Sequence, residues 1–293
     1  MSIIENAIDR LRRTSVPLRS TGTAQEGGAS GDRTESRGVA TTVHRRIAID
    51  LDALRAGNQL PEAGEERRFA EYYREIKRPL IARALASDAR PEARLILVTS
   101  ALPADGKTFT ALNLAFSIAR ERDVSVLLVD GDAPKAHLSV ALGVANEPGL
   151  LDALSNSALD VESLVLGTDI PGLEILPAGK AAEGAAPELI GSARMGQIAA
   201  RLTGLHPRRL VLMDSSPLLV SSEARALKQV PGQILMVARA GKTPRQALLD
   251  AIALVDKSKL YGLVLNESYE PGAQGYYGYY GYGESGGRSG PAD

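Results

Sequence analysis

Between an apolar run, Leu95-Ile-Leu-Val-Thr99, and a helical pattern over Phe109–Arg120 lies Ala101-Leu-Pro-Ala-Asp-Gly-Lys107-Thr108. Strand, loop and helix in that order, with the loop reading A-x-x-x-x-G-K-T, leave few folds open. The pattern is a Walker A phosphate loop. Amides of the loop and of the first helical turn converge on one spot, where the helix dipole favours an anion. Gly106 lets the backbone approach phosphate without a Cβ in the way. Lys107 reaches the β- and γ-phosphates, and the Thr108 hydroxyl is placed to ligate Mg²⁺. Pro103, Ala104, Asp105, Gly106, Lys107, Thr108 and Phe109 are therefore the expected phosphate cradle. Ala at the first position, where Gly is commoner, is small enough to be tolerated.

The surrounding pattern predicts the fold. Strands are expected at Leu95–Thr99, Val124–Val129, Leu173–Leu176, Leu210–Met213, Ile234–Ala238 and Leu260–Leu265. Helices are expected at Thr108–Arg120, Lys135–Leu142, Gly149–Leu154, Pro187–Leu202, Ser222–Gln229 and Pro244–Lys257. Continuous apolar strands alternating with helices predict an α/β P-loop NTPase fold, a mostly parallel sheet covered on both faces. Its ligand belongs at the carboxyl ends of the strands.

Two further strand ends carry acids. Val126-Leu-Leu-Val ends in Asp130-Gly-Asp132, and Leu210-Val-Leu-Met ends in Asp214. Oxygen donors suit Mg²⁺, so Thr108, Asp130, Asp132 and Asp214 are candidate metal ligands. A carboxylate near the terminal phosphate also accepts a proton from an incoming hydroxyl, which makes Lys107, Asp130 and Asp132 the candidate catalytic residues. Asp-Gly-Asp is also ordinary turn sequence.

Outside this core the organisation changes. Residues 1–13 (Met-Ser-Ile-Ile-Glu-Asn-Ala-Ile-Asp-Arg-Leu-Arg-Arg) read as an amphipathic helix, with Ile3, Ile4, Ala7, Ile8 and Leu11 on one face. Such a helix suits a partner, a membrane surface or the chain's own domain. Residues 14–64 read as mostly flexible linker, with a short ordered patch at Ile47–Arg55. From Glu65 to about Ser87 the apolar spacing is helical, with Pro79 expected to kink or interrupt it. The domain proper is expected over 65–266. Residues 267–293 form a Gly- and Tyr-rich tail too poor in other apolar residues to build a core.

Composition excludes several classes. The 293 residues carry a net charge of −1 and contain no Cys. That gives no basic field for nucleic acid and no disulfide or thiolate metal site. Three His residues lack metal-like spacing. No apolar run approaches the ~20 residues of a spanning helix, and charges interrupt the first segment, so no signal peptide is expected.

The three acidic and phosphate-binding elements together resemble the bacterial tyrosine kinases, cytoplasmic autokinases of polysaccharide biosynthesis and export. Thr99–Thr108 is similar to their Walker A, Asp130 and Asp132 to their distinctive Walker A′, and Asp214 to their Walker B. Glu71-x-x-Arg74-x-x-Lys77 resembles the helix implicated in their ring assembly, with Lys in place of the last Arg. Tyr276, Tyr277, Tyr279, Tyr280 and Tyr282 resemble the autophosphorylated tail. The opening segment and Glu71–Leu80 look most like the subgroup found with exosortase systems. Two departures stand out. Ala133-Pro134-Lys135 follows Asp132 where the family often has Arg or Lys sooner, and Ser216-Pro217 replaces Pro-Pro.

The resemblance implies ATP and Mg²⁺ as cofactors and transfer to the tail of a neighbouring copy, hence a homo-oligomer. It also implies a membrane-spanning chain-length-determinant (Wzz-like) activator. A cognate tyrosine phosphatase and polysaccharide enzymes are further implied contacts, with no nucleic acid. The implied location is cytoplasmic, at the inner face of the cell membrane through that partner. Asn266 resembles the base-contacting Asn of the wider ATPase group, and a strand-end Asn also serves as a turn or cap. Two alternatives remain at this stage. One is a positioning or partitioning ATPase, which usually carries a second Lys where this chain has Leu102. The other is a nucleotide-binding adaptor without catalysis.

Overall fold

The computed structural model describes residues 45–133 and 135–268. The expected helix over 1–13 and the tyrosines at 276–282 lie outside the described residues. Among the described residues eight strands form one sheet. They are β1 (Arg46–Ile47), β2 (Leu95–Ser100), β3 (Ser125–Gly131), β4 (Leu166–Thr168), β5 (Leu173–Leu176), β6 (Arg209–Ser215), β7 (Gln233–Arg239) and β8 (Leu260–Asn266). Their order is β1-β4-β5-β3-β6-β2-β7-β8. Every pairing is parallel except that of β4 with β5.

The period-two alternation of a strand divides the core. Leu95, Leu97, Leu127, Val129, Val211 and Met213 face one layer; Ile96, Val98, Val126, Leu128, Leu210 and Leu212 face the other. The second layer is covered by α2 (Glu66–Ala84) and α3 (Lys107–Ala119), through Leu80, Ala111, Leu114 and Ile118. The first is covered by α5 (Leu150–Ser155), α6 (Ala186–Ile190), α7 (Ala193–Gly204), α8 (Ser222–Leu227) and α9 (Arg245–Ala253). Two short helices complete the set, α1 (Leu51–Ala56) and α4 (His137–Ala141). Burial on both faces explains why the strands read as unbroken apolar runs.

Two expectations are corrected, and two further features are added. The helix over Glu66–Ala84 continues five residues past Pro79 without interruption. Pro79 removes one donor, but Tyr73, Leu80 and Ala84 are buried and hold both halves against the core. The single helix expected over Pro187–Leu202 is two, because Gly191 and Ser192 separate α6 from α7. The patch expected to be ordered at Ile47–Arg55 takes part in the fold. β1 pairs with β4, and α1 is capped by Asp50, whose carboxylate accepts from the Ala53 amide at 2.9 Å. Lastly, β4 was not foreseen.

One buried ion pair braces the sheet far from its carboxyl ends. Arg209 is 1 % exposed, and its guanidinium donates to both carboxylate oxygens of Glu162 and to the Leu202 carbonyl. Glu174 accepts from the same guanidinium at 3.3 Å. Among the described residues, no helix is long and apolar enough to cross a membrane.

Candidate functional site

The site forms at the carboxyl ends of the three central strands, β3, β6 and β2. Asp214 on β6 is the register partner of both Val98 on β2 and Asp130 on β3. The phosphate loop leaves β2 two residues after Val98. Its turn needs two left-handed residues, Ala104 at φ +63° and Gly106 at φ +89°. Gly106 is required for a second reason. A Cβ there would lie 1.9 Å from Nδ2 of Asn266. Asn266, at the end of β8, donates from Nδ2 to the Asp105 carbonyl at 3.2 Å. The Asp105 carboxylate accepts from the Leu102 amide at 3.0 Å and the Thr243 hydroxyl at 2.6 Å. The loop is thus clamped from both sides before α3 begins at Lys107, with no side-chain cap at its first turn. The first helical amides have no intrahelical acceptor and are left to an anion.

The acids occupy three different environments. Asp130 is saturated. One oxygen accepts from the Asp132 amide, the other from the amide and hydroxyl of Ser139, both at 2.7 Å. Burial pushes its carboxyl above the usual range against those hydrogen bonds. Asp132 is half satisfied. Its Oδ1 accepts from the Ser216 hydroxyl at 2.5 Å. Its Oδ2 has no hydrogen-bond partner and stands 3.8 Å from Lys107 Nζ, both side chains being buried.

Asp214 is completely buried, and neither oxygen is hydrogen-bonded. Burial raises its carboxyl to about 7, with the neighbouring Asp130 and Asp132 adding to the rise. Lys107 and the nearby Thr108 hydroxyl pull the other way.

Three orphaned carboxylate oxygens, one lysine and one threonine hydroxyl around a phosphate loop fit a magnesium–nucleotide complex. An unpaired buried carboxylate is costly unless a cation or a proton joins it. Among the described residues, no three His, Cys, Asp or Glu side chains make a ready cluster for a metal. Mg²⁺ takes one or two carboxylates and fills its other positions with water and substrate phosphates.

The structure brings Lys107, Thr108, Asp130, Asp132 and Asp214 together. It separates Lys77 from the expected assembly set. Lys77 is 5 % exposed, donates to the Ser117 carbonyl and pairs with Glu121 at 2.8 Å. It ties α2 to the end of α3 and offers no surface charge. Glu71 and Arg74 are on the exposed side of α2 and pair with each other. Sequence reasoning did not find Ser139, Ser216 and Thr243. Their hydroxyls meet the acids across 9, 84 and 138 residues of chain, and no local pattern signals that.

A phosphate loop on a mostly parallel sheet, faced by acids at the ends of the adjacent strands β6 and β3, defines a P-loop nucleotide-binding protein. The chain belongs to the bacterial tyrosine-protein kinase family. It is 30% identical over 178 residues to tyrosine-protein kinase YwqD of Bacillus subtilis, covering 60% of this chain and 73% of that protein. It is 31% identical over 184 residues to tyrosine-protein kinase wzc of Salmonella typhimurium, covering 62% of this chain and 25% of that one. The chain spans about a quarter of the wzc length, and 23% of tyrosine-protein kinase ptk of Acinetobacter johnsonii.

Among solved structures, the VpsO kinase domain superposes with a TM-score of 0.55 at 26% identity, covering 69% of this chain and 99% of that one. The BceF tyrosine kinase domain superposes with a TM-score of 0.58 at 25% identity, covering 74% and 86%. No family model matches the chain.

Proposed function

We propose that this chain is an ATP-dependent protein-tyrosine autokinase that phosphorylates the tail tyrosines of a neighbouring copy. The observation that carries the reading is the half-satisfied Asp132. Its free Oδ2 lies beside Lys107, where a buried carboxylate can take a proton from an acceptor hydroxyl. In this reading Lys107 and the amides of 104–109 hold the phosphates of ATP. Thr108 and Asp214, with Asp132 nearby, would hold Mg²⁺, which would draw charge from the phosphates.

A bond forms between the tyrosine oxygen and the γ-phosphorus while the bond to the β-phosphate oxygen breaks, releasing ADP. The phenolic proton passes to Asp132. A free tyrosine has pKa ≈ 10, so this help is needed at neutral pH. Asp130, saturated by Ser139, holds the backbone of the acidic turn. Asn266, expected to contact the base, serves here by holding the loop.

The acceptors are Tyr276, Tyr277, Tyr279, Tyr280 and Tyr282. We place the residues from β1 to β8, 46–266, as the catalytic domain, 267–293 as its tail, and 1–13 and 14–45 as helix and linker. Assembly into a homo-oligomer uses Glu71 and Arg74. The names of the relatives support a role in exopolysaccharide synthesis and export, among them succinoglycan biosynthesis transport protein ExoP of Rhizobium meliloti. That role implies a membrane-spanning chain-length partner, which would hold the chain at the inner face of the membrane.

The test is phosphate mapping by mass spectrometry on wild type and Lys107→Met after incubation with Mg²⁺ and ATP. Phosphotyrosine on the tail of wild type alone is the expected result. ATP hydrolysis without phosphotyrosine in the presence of the activator overturns it in favour of a positioning ATPase.

A further inference from the structure

We propose that Ser216 is a positioning residue that aims Asp132 at the acceptor hydroxyl, an inference that rests on the kinase reading above. A carboxylate turns easily about its last torsion. Asp132 is 1 % exposed, so no water layer fixes that rotation, and a protein donor must. The Ser216 hydroxyl supplies it at 2.5 Å to Oδ1. With Oδ1 occupied, Oδ2 alone is presented beside Lys107, at 3.8 Å. That separation is an ion pair but too long for a hydrogen bond, so Lys107 does not itself lock the carboxylate.

Ser216 is in turn fixed to the strand that launches the phosphate loop. The Thr99 hydroxyl on β2 donates to the Ser216 carbonyl at 3.1 Å. Two residues on, the Leu218 amide donates to the Ser100 carbonyl at 2.8 Å. The segment after β6 is thereby laced along β2, and the Ser216 hydroxyl reaches across to the end of β3. Loop, metal-side strand and proton acceptor share one rigid frame. Ser216 occupies the place where the sequence departs from the usual Pro-Pro, and Pro has no hydroxyl to offer.

The test compares Ser216→Ala and Ser216→Thr in the full chain, each alone and in an Asp132→Asn background. Phosphotransfer kcat and KM for ATP, affinity for a fluorescent ADP analogue, and melting temperature are measured. The nucleotide-free crystal structure of Ser216→Ala is determined. Loss of one hydrogen bond to a charged group that must be aimed should lower kcat about tenfold or more. KM and nucleotide affinity should stay within about twofold, because Ser216 touches no part of the phosphate cradle. Ser216→Thr, which keeps the hydroxyl, should restore kcat. In the Asp132→Asn background Ser216→Ala should cost nothing further.

An unchanged kcat in Ser216→Ala overturns the proposal. So does a loss that Ser216→Thr shares along with a lowered melting temperature, which marks a packing role. If wild type transfers no phosphate at all, the kinase reading fails. The nucleotide-free structure then decides for Ser216 separately: Asp132 turned away from Lys107 upholds its positioning role, and Asp132 unmoved overturns it.

Discussion

Replacing Gly106 by Ala tests whether the phosphate loop is held in the way described. The new Cβ would stand 1.9 Å from Asn266 Nδ2 and 3.0 Å from its Cγ, so the carboxamide must swing aside. That forfeits the 3.2 Å bond to the Asp105 carbonyl, a loss of about 0.5–1.5 kcal/mol. Holding a residue with a Cβ at φ +89° adds roughly 1–2 kcal/mol. The substitution should therefore destabilise the nucleotide-free protein by about 2–3 kcal/mol in urea titrations.

Asn266→Ala alone should cost about 1 kcal/mol, since only the hydrogen bond is lost. The double variant should cost no more than Gly106→Ala, because the colliding group is gone while the strain at φ +89° remains. The cycle should thus be less than additive by about 1 kcal/mol. Additivity within about 0.3 kcal/mol would falsify the contact between β8 and the loop, and with it the second reason for glycine at 106.

Two more perturbations follow from the buried charges. The Asp214 carboxyl is raised to about 7 from 3.8. Between those pH values the folded state holds a proton that the unfolded state has released, so stability falls as pH rises through that window. Asp214→Asn removes this titration. Without nucleotide or Mg²⁺ it should gain on wild type from about pH 4 to 7, by about 4 kcal/mol in total, and then level off. Parallel wild-type and variant stability curves across that window would refute the assignment. At the far end of the sheet, Glu162→Ala leaves the buried Arg209 guanidinium with only Glu174 at 3.3 Å and the Leu202 carbonyl, and should cost about 3 kcal/mol. Glu162→Leu combined with Arg209→Met should recover much of that, and a single-variant loss below about 1 kcal/mol in chemical denaturation would count against the pair.

The legible part of this molecule is the part written in adjacent residues. The core strands were readable because both faces of β2, β3, β6 and β7 are covered, which makes each an apolar run. The phosphate loop was readable because its chemistry fits within eight consecutive positions. β1 and β4 were not, being two and three residues long, below the length at which alternation can be recognised. α6 and α7 read as one because their apolar spacing carries across Gly191 and Ser192, and only the backbone shows the break. Lys77 entered through its place in the Glu71-x-x-Arg74-x-x-Lys77 motif, whose spacing says nothing of burial. It is buried by α3, which lies forty residues away. The division of labour among the acids was illegible for the same reason. Ser139 saturates Asp130 and Ser216 half-saturates Asp132 only once β3, β6 and the segments after them are folded together.

The exit of the chain from the sheet sets a length scale for assembly. β8 ends at Asn266, whose side chain touches the phosphate loop, so the tail is anchored at the rim of its own site. Tyr276 is eight residues beyond Ser268 and Tyr282 fourteen. At about 3.3–3.6 Å per residue the covalent tether permits at most about 29 Å to the first tyrosine and about 50 Å to the last. For the acceptor role proposed above, the root of one copy's tail must lie within that radius of the next copy's Lys107. The chain thus carries a built-in ruler. It admits only those arrangements of neighbouring copies whose sites are spaced more closely than the tether is long, and it ranks the five tyrosines by how far each can be sent.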